Sequence, residues 1–352
     1  MSLIFQNIKN QFNSKLPFVC YCKPNSDKII ALLQHNDDLF ELENDKSGFA
    51  FVSFDNQKRY LIPENKSNII FETVSNFDFI FDNRFKSESN LKDKIDFEYL
   101  VKRGVESIQN GSFEKVVLSR KETIEVDLFD FELVFKKMLQ KYPTAFKYCL
   151  YHPKIGFWIG ATPEQFLKVD DAILKTVSLA GTQLYNENEN VVWENKEVDE
   201  QQIVTDFIVN NLKKVSDNVT FSSPYNHKAG SLVHIKTDIQ ADVNDENAIS
   251  DIINVLHPTP AVCGFPKDKA KQFILENEGY KREFYAGFLG EWNKDFLSYK
   301  ENQFDLFVNL RCMEIEAKKV NLYIGCGITK GSSPENEFLE TVNKSQTMKT
   351  IL

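Results

Sequence analysis

Apolar residues are spaced along this chain in two ways. Over most of its length they come in short runs, many of them β-branched or aromatic, closed off by Asn, Asp, Ser, Gly or Pro. That is the pattern of strands. It predicts strands at 18–22, 29–33, 49–54 and 69–72, then at 115–126, 146–151, 157–160 and 173–179, and two long ones at 304–315 and 320–328. Elsewhere the spacing is helical. Phe97, Leu100, Val101, Val105 and Ile108 share one face of a helix over 97–110, and Val198, Ile203, Val204, Ile208 and Leu212 share one face of another over 192–215. Short strands and helices alternate from there to about 280. A last helix opens at Ser333-Pro334, an N-cap residue followed by Pro at the first helical position, and runs nearly to Leu352. The polar stretch 82–94 predicts a linking loop. No internal repeat or low-complexity linker divides the chain, so the expectation is one α+β domain over 1–352, with a β-rich N-terminal lobe at 1–94.

Composition narrows the function. Of 352 residues, 42% are apolar, enough for a large core and too many for a disordered chain. Lys and Arg number 42 against 51 Asp and Glu, a net charge of −9 with no basic run, which disfavours nucleic acid and anionic membrane as partners. No apolar run approaches the roughly 20 residues that span a bilayer, and the N-terminus does not read as a signal peptide. The six cysteines are scattered in apolar contexts, which points to reduced core thiols in a cytoplasmic protein rather than disulfides or zinc. The five histidines form no metal-binding spacing.

Several constellations carry potential chemistry. Glu197-x-x-Glu200 and Glu337-x-x-Glu340 each put two carboxylates on one helix face. If the two helices face each other they offer the hard oxygens that Mg²⁺ accepts; if not, they are ordinary solvated surface. Gly325-Cys326-Gly327 after a strand is either a tight bend or a place where backbone N–H groups meet an anion. Lys115 opens the strand KVVLSR. Pointing inward it is a candidate base, because burial disfavours an ammonium; pointing outward it is an edge lysine. Gly160-Ala161-Thr162-Pro163-Glu164 and Ser178-Leu179-Ala180-Gly181-Thr182 each end a strand in small residues, the first with a carboxyl. Arg311 sits among apolar neighbours in the middle of a predicted strand, so it should meet a carboxylate, of the protein or of a substrate.

Taken in order, these segments resemble the chorismate-utilising enzymes. The series is KVVLSR (115–120), GATPE (160–164), LAGT (179–182), Lys196-Glu197-x-x-Glu200, PTPAVCGFP (258–266), Arg282 with Tyr285-Ala286-Gly287, Asn309-Leu310-Arg311, GCGI (325–328) and SSPENEFLET followed by Lys344. It covers roughly residue 95 to the end, and the ordered set is far more specific than any one piece. The resemblance implies one α+β domain, two large antiparallel sheets packed together with helices outside, the chorismate-binding fold also seen in anthranilate synthase component I. It implies that the two E-x-x-E helices face one Mg²⁺, with Glu200, Glu337 and Glu340 at metal positions and Glu197 in support. Arg311, Tyr285, Lys344 and the backbone of Gly325 and Gly327 match residues around the enolpyruvyl carboxylate of chorismate, and Gly181, Thr182 and His234 match residues lining its ring.

Within the family, members differ in nucleophile. Ala180 stands where aminodeoxychorismate synthases carry a covalent lysine, and Lys115 stands where water-using members carry their base. The resemblance therefore implies isochorismate synthase. Lys115, neutral, activates water against ring C2, and Glu164, protonated, assists departure of the C4 hydroxyl. The product feeds menaquinone or siderophore biosynthesis. Ala261 stands where salicylate synthases tend to carry Thr, which leaves salicylate synthase as the second reading. No amidotransferase subunit is expected, and a monomer is. One position departs from the family pattern: Gln201 follows Glu200 where the family usually has His. An amide still donates a hydrogen bond but carries no charge.

Overall fold

The structure, a computed structural model, describes residues 2–74, 77–81, 90–184, 191–229, 232–243 and 248–352. In chain order its elements begin with α1 (Leu3–Asn13), β1 (Phe18–Cys22), β2 (Lys28–Gln34), β3 (Phe40–Glu41), β4 (Gly48–Val52), β5 (Arg59–Pro63) and β6 (Ser67–Thr73). Next come α2 (Leu91–Gln109), β7 (Lys115–Glu125), α3 (Phe131–Lys141), β8 (Phe146–His152), β9 (Gly156–Thr162), β10 (Gln165–Asp170), β11 (Ile173–Leu184) and α4 (Asn195–Leu212). After these come β12 (Val219–Phe221), β13 (Tyr225–Ala229), β14 (Leu232–Asp242), α5 (Ala248–Leu256), β15 (Gly264–Phe265) and α6 (Lys267–Asn277). The chain ends with β16 (Phe288–Trp292), β17 (Phe304–Val308), β18 (Cys312–Glu316), β19 (Lys319–Ile328) and α7 (Pro334–Lys349).

The strands form two antiparallel sheets. One runs β15-β7-β19-β18-β9-β8-β1-β2-β6 and the other β12-β14-β11-β10-β17-β16-β4-β5-β3, with β13 added on β14. The strands of the first 73 residues are shared between the sheets: β1, β2 and β6 extend the first, and β3, β4 and β5 the second. The apolar pattern explains this. Every residue of β1 is buried, and alternate side chains enter different cores. Val19 and Tyr21 join the core between the sheets. Phe18, Cys20 and Cys22 join a second core under α1 and α3. A strand covered on both faces reads as a continuous apolar run. All six cysteines are buried and unpaired. Among the described residues, no helix is long and apolar enough to cross a membrane.

The elements differ from the sequence reading in particular places. Helix α1 was not anticipated, although Ile4, Phe5 and Ile8, the residues it buries, fall at helical spacing. Helix α3 was missed too. Its Asp130 caps the first turn by accepting from the Leu133 N–H at 3.1 Å. Of the predicted loop over 82–94, residues 82–89 lie outside the described residues, and Leu91 already opens α2. In α7, Ser333 occupies the N-cap position and Pro334 the first turn, but the serine hydroxyl makes no capping bond.

The correction with most consequence concerns 304–315. It is not one strand: β17 lies in one sheet and β18 in the other, and Asn309-Leu310-Arg311 carries the chain between them. Strands β9 and β10 make the same move through Pro163-Glu164. The two crossings lie against each other. The Thr162 hydroxyl donates to the Val308 carbonyl at 2.6 Å. The Val308 N–H donates to the Glu164 carbonyl at 2.9 Å, and the Ala161 N–H to the Arg311 carbonyl at 3.0 Å. Asn309, fully buried, pins the turn. Its Oδ1 accepts from the Tyr148 hydroxyl at 2.7 Å, and its Nδ2 donates to the Phe284 carbonyl at 2.9 Å. Its backbone pairs with Ala286 and Gly287, each at 2.9 Å. Replacing Asn309 by Leu leaves the Tyr148 hydroxyl buried without a partner, while the Phe284 carbonyl loses one of two donors and keeps the Gly287 N–H at 3.0 Å. We expect a loss of about 1–3 kcal/mol from the orphaned hydroxyl, read from urea unfolding.

Candidate active site

The crossings decide where the first two side chains go. Arg311 leaves its crossing with φ +47°, a left-handed conformation unusual for a residue with a side chain. It is therefore not a mid-strand residue, and its guanidinium forms no ion pair among the described residues. Burial and the nearby Tyr285, Glu164 and Glu340 are the main influences on its charge. Glu164, on the other crossing, is partly buried. Burial pushes its carboxyl up to about 7, against the opposing pull of Arg311, Lys115 and Lys344. One carboxyl, one guanidinium and two lysines thus share one field.

Lys115, at the start of β7, points inward and is almost fully buried. Its Nζ lies 2.5 Å from Glu200 Oε1. Gly327 on the adjacent β19 makes room for this pair. A Cβ there would stand 3.1 Å from Glu200 Oε1 and 3.3 Å from Lys115 Cε. Two residues earlier, a Cβ on Gly325 would stand 2.7 Å from the Tyr285 hydroxyl and 2.8 Å from the Leu118 carbonyl, so only glycine fits. Tyr285 is buried and stacks on Tyr323 with ring centres 5.7 Å apart, and burial drives its hydroxyl well above the usual range. Lys344 on α7 donates to the Gly325 carbonyl at 3.1 Å and pairs with Glu340 at 2.5 Å. The Glu337 carbonyl accepts from the Cys326 thiol at 3.7 Å. Helices α4 and α7 therefore both reach the Gly325-Cys326-Gly327 segment.

A third group gathers on β11, whose register with β14 slips between Ala180 and Gln183. In that bulge Gly181 has φ +68°, and a Cβ on it would meet Glu197 Cβ and Trp193, each at 3.1 Å. The Gly181 carbonyl lies 2.9 Å from His234 Nδ1. A carbonyl only accepts, so Nδ1 carries the proton, and burial lowers the tendency of the ring to take a second. The backbone of Thr182 lies in the same bulge; its side chain lies outside the described residues. Ala261 is half-buried in the 259–263 turn, where the Cys263 carbonyl accepts from the Val117 N–H of β7 at 2.9 Å.

The four glutamates can be tested as a metal site. Among the described residues, no three metal-binding side chains converge closely enough to hold an ion. Glu200 is engaged by Lys115 and Glu340 by Lys344. Glu197 Oε2, however, is buried and has no hydrogen-bond partner among the described residues. An orphaned carboxylate oxygen inside a protein is costly, and a hard divalent cation would satisfy it. The donor chemistry fits Mg²⁺.

Two supports were not anticipated, and a third, the hydrogen-bonding amide of Gln201, was. Glu278 accepts from the Ser119 N–H at 2.7 Å and pairs with Arg282, both side chains buried. Arg282 in turn donates to the Val117 and Val262 carbonyls at 2.6 and 3.0 Å, tying β7 to the turn that carries Ala261. The sequence cue was an acid four residues before an arginine. Glu122 is shared by Arg120 and the buried Lys349, which joins β7 to the end of α7. The third support is the amide of Gln201, buried among hydroxyls.

The raised carboxyl of Glu164 has a measurable effect on stability. The folded protein keeps its proton up to about pH 7, whereas the unfolded chain loses it near the ordinary value of 4.5. This contribution is complete below the lower value and is lost as pH rises toward the upper one. Glu164→Gln should match the parent at low pH. It should then become progressively more stable than the parent in thermal melts between those values, by at most about 1.4 kcal/mol per pH unit.

Comparison with known proteins places this geometry. The profile of the chorismate-binding enzymes matches residues 56–352. Isochorismate synthase MenF of Escherichia coli is 28% identical over 278 residues, covering 75% of this chain and 62% of its own length. Anthranilate synthase component 1 of Lactococcus lactis is 28% identical over 269 residues, covering 73% of this chain and 57% of its own length. The chain thus spans less than two thirds of either relative. The solved structure of MenF, the menaquinone-specific isochorismate synthase from Escherichia coli, superposes with a TM-score of 0.79 at 22% identity, covering 96% of this chain and 88% of that one. The two sheets, their crossings and the matched profile lead to one conclusion: this chain belongs to the chorismate-binding enzyme family.

Proposed function

We propose that this protein is an isochorismate synthase, an isomerase that converts chorismate to isochorismate with water as nucleophile and without an amidotransferase subunit. The observation that carries the reading is the pairing of an inward lysine, Lys115, with a carboxyl held up to about 7, Glu164, in one electrostatic field. Water addition at ring C2 needs a base on one side and an acid at the departing C4 hydroxyl on the other. Lys115 takes the proton of the attacking water, and the ammonium so formed has its partner in place, Glu200 at 2.5 Å. Glu164, protonated near neutral pH, gives its proton to the leaving hydroxyl while the ring double bonds shift. A carboxyl with an ordinary value would already be ionised at that pH and could not.

Arg311, with no protein carboxylate in ion-pair contact among the described residues, and Lys344 offer charge to the enolpyruvyl carboxylate. The glycines at 325 and 327 let that group approach the backbone. His234, held through Nδ1 by the Gly181 carbonyl, orients one wall of the ring site. Glu200, Glu337 and Glu340 would hold Mg²⁺, with Glu197 beside them. When bound, the ion supplies positive charge for the ring carboxylate of chorismate and fixes its position. Relatives named isochorismate synthase support the choice of water over ammonia.

The test is product analysis. Purified protein with chorismate and Mg²⁺, free of ammonium and glutamine, should give isochorismate alongside remaining chorismate, resolved by chromatography and NMR. Salicylate with pyruvate would instead indicate a lyase, and product only after ammonium is added would mean that the nucleophile is not water. Lys115→Gln should lower turnover by about 100- to 10,000-fold with the fold intact. EDTA should abolish activity and Mg²⁺ restore it.

A further inference from the structure

Gln201 has no place in the chemistry above, yet it is 1% exposed and its amide meets three hydroxyls. Its Nε2 lies 2.7 Å from Ser178 Oγ, 2.9 Å from Thr205 Oγ1 and 2.9 Å from Thr237 Oγ1. The Ser178 and Thr205 hydroxyls are 2.5 Å apart, and the Thr205 hydroxyl also donates to the Gln201 carbonyl at 3.1 Å. The three hydroxyls come from three elements. Ser178 on β11 and Thr237 on β14 are directly opposed in the ladder, and Thr205 lies one turn further along α4. The amide is therefore a point at which α4 is fastened to the sheet.

Its place on the helix matters. Gln201 immediately follows Glu200 and lies one turn after Glu197, on the same face as Glu197. Glu197 Cβ fills the space that Gly181 leaves open on β11. The helix is thus held at two neighbouring points, by shape at Gly181 and by hydrogen bonds at Gln201. Together they fix its rotation and its height above the sheet. A helix can be held by apolar packing alone, but packing tolerates small rotations, whereas a buried amide that loses its acceptors is penalised.

We propose that Gln201 is a positioning residue. Its amide, bonded to the Ser178, Thr205 and Thr237 hydroxyls, sets the stance of the α4 carboxylates Glu197 and Glu200 and so determines how tightly the site binds its divalent cation. The proposal rests on the reading that these carboxylates hold Mg²⁺. Outer partners that orient ligands typically change metal affinity by about 10- to 100-fold.

Calorimetric titration of Mg²⁺ alone into the parent, Gln201→Met, Thr237→Val and the double variant tests it, with circular dichroism melts on the same samples. Methionine keeps the side-chain length and removes the donor. Gln201→Met should weaken Mg²⁺ binding by about 10- to 100-fold. Thr237→Val should weaken it less, and the double variant should be no weaker than Gln201→Met, because the threonine acts through the amide. A folded Gln201→Met that binds Mg²⁺ as the parent does would overturn the proposal, as would effects that simply add. If Gln201→Met does not fold, unchanged affinity in Thr237→Val overturns it. A parent that binds no Mg²⁺ would overturn the metal reading itself, and with it this inference.

Discussion

A chain that passes from one sheet to another must leave both ladders at the point of passage, and its backbone groups there need partners from outside the sheets. In this protein two such passages, at Pro163-Glu164 and at Asn309-Leu310-Arg311, solve the problem for each other. Each supplies some of the hydrogen bonds that the other lacks, and Ala286 and Gly287 pair with the Asn309 backbone. The pairing leaves room for little variation in backbone path, which is why Arg311 tolerates a left-handed conformation. It also puts an acid, Glu164, and a guanidinium, Arg311, within reach of each other's charge, without an ion pair among the described residues. The candidate active site lies where the fold has a break in its regular pairing, and the backbone there is held by Asn309 and its partners.

Around this seam the charged residues are arranged in layers. Nearest are Lys115 with Glu200 and Lys344 with Glu340. Behind them, buried Arg282 with Glu278, and Glu122 shared by Arg120 and Lys349, hold β7, the 259–263 turn and α7 together. Such buried pairs add little net stability compared with well-packed apolar residues. Their geometry is directional, however, and directional contacts keep strand and helix in one relative orientation.

Much of this was legible in the sequence, for identifiable reasons. Strands with continuous apolar runs, such as β1, were placed correctly because burial on both faces leaves a strong pattern. The ordered motifs pointed to the family because glycines, a lysine and carboxylates at those positions have few other reasons to occur together. The crossing at 309–311 was not legible: an arginine between Leu310 and Cys312 looks like a strand interior, and nothing local signals a change of sheet. Helix α1 was missed because its apolar face is short, with the rest of the segment polar. The pairing of Lys115 with Glu200 joins residues 85 positions apart (200 − 115) and has no local trace.

The strand order has a consequence for how the protein is made. β18 and β19 are the middle of their sheet, between β7 and β9, and β17 sits between β10 and β16 in the other. They are also the last strands of the two sheets in chain order. Until residues 304–328 emerge, β7, β9 and β10 have synthesised neighbours on one side only, and each presents a row of unsatisfied backbone groups. The sandwich therefore cannot be completed in the order in which it is translated. The nascent chain carries exposed strand edges until residues 304–328 emerge, and those strands then close both sheets and the candidate site between them.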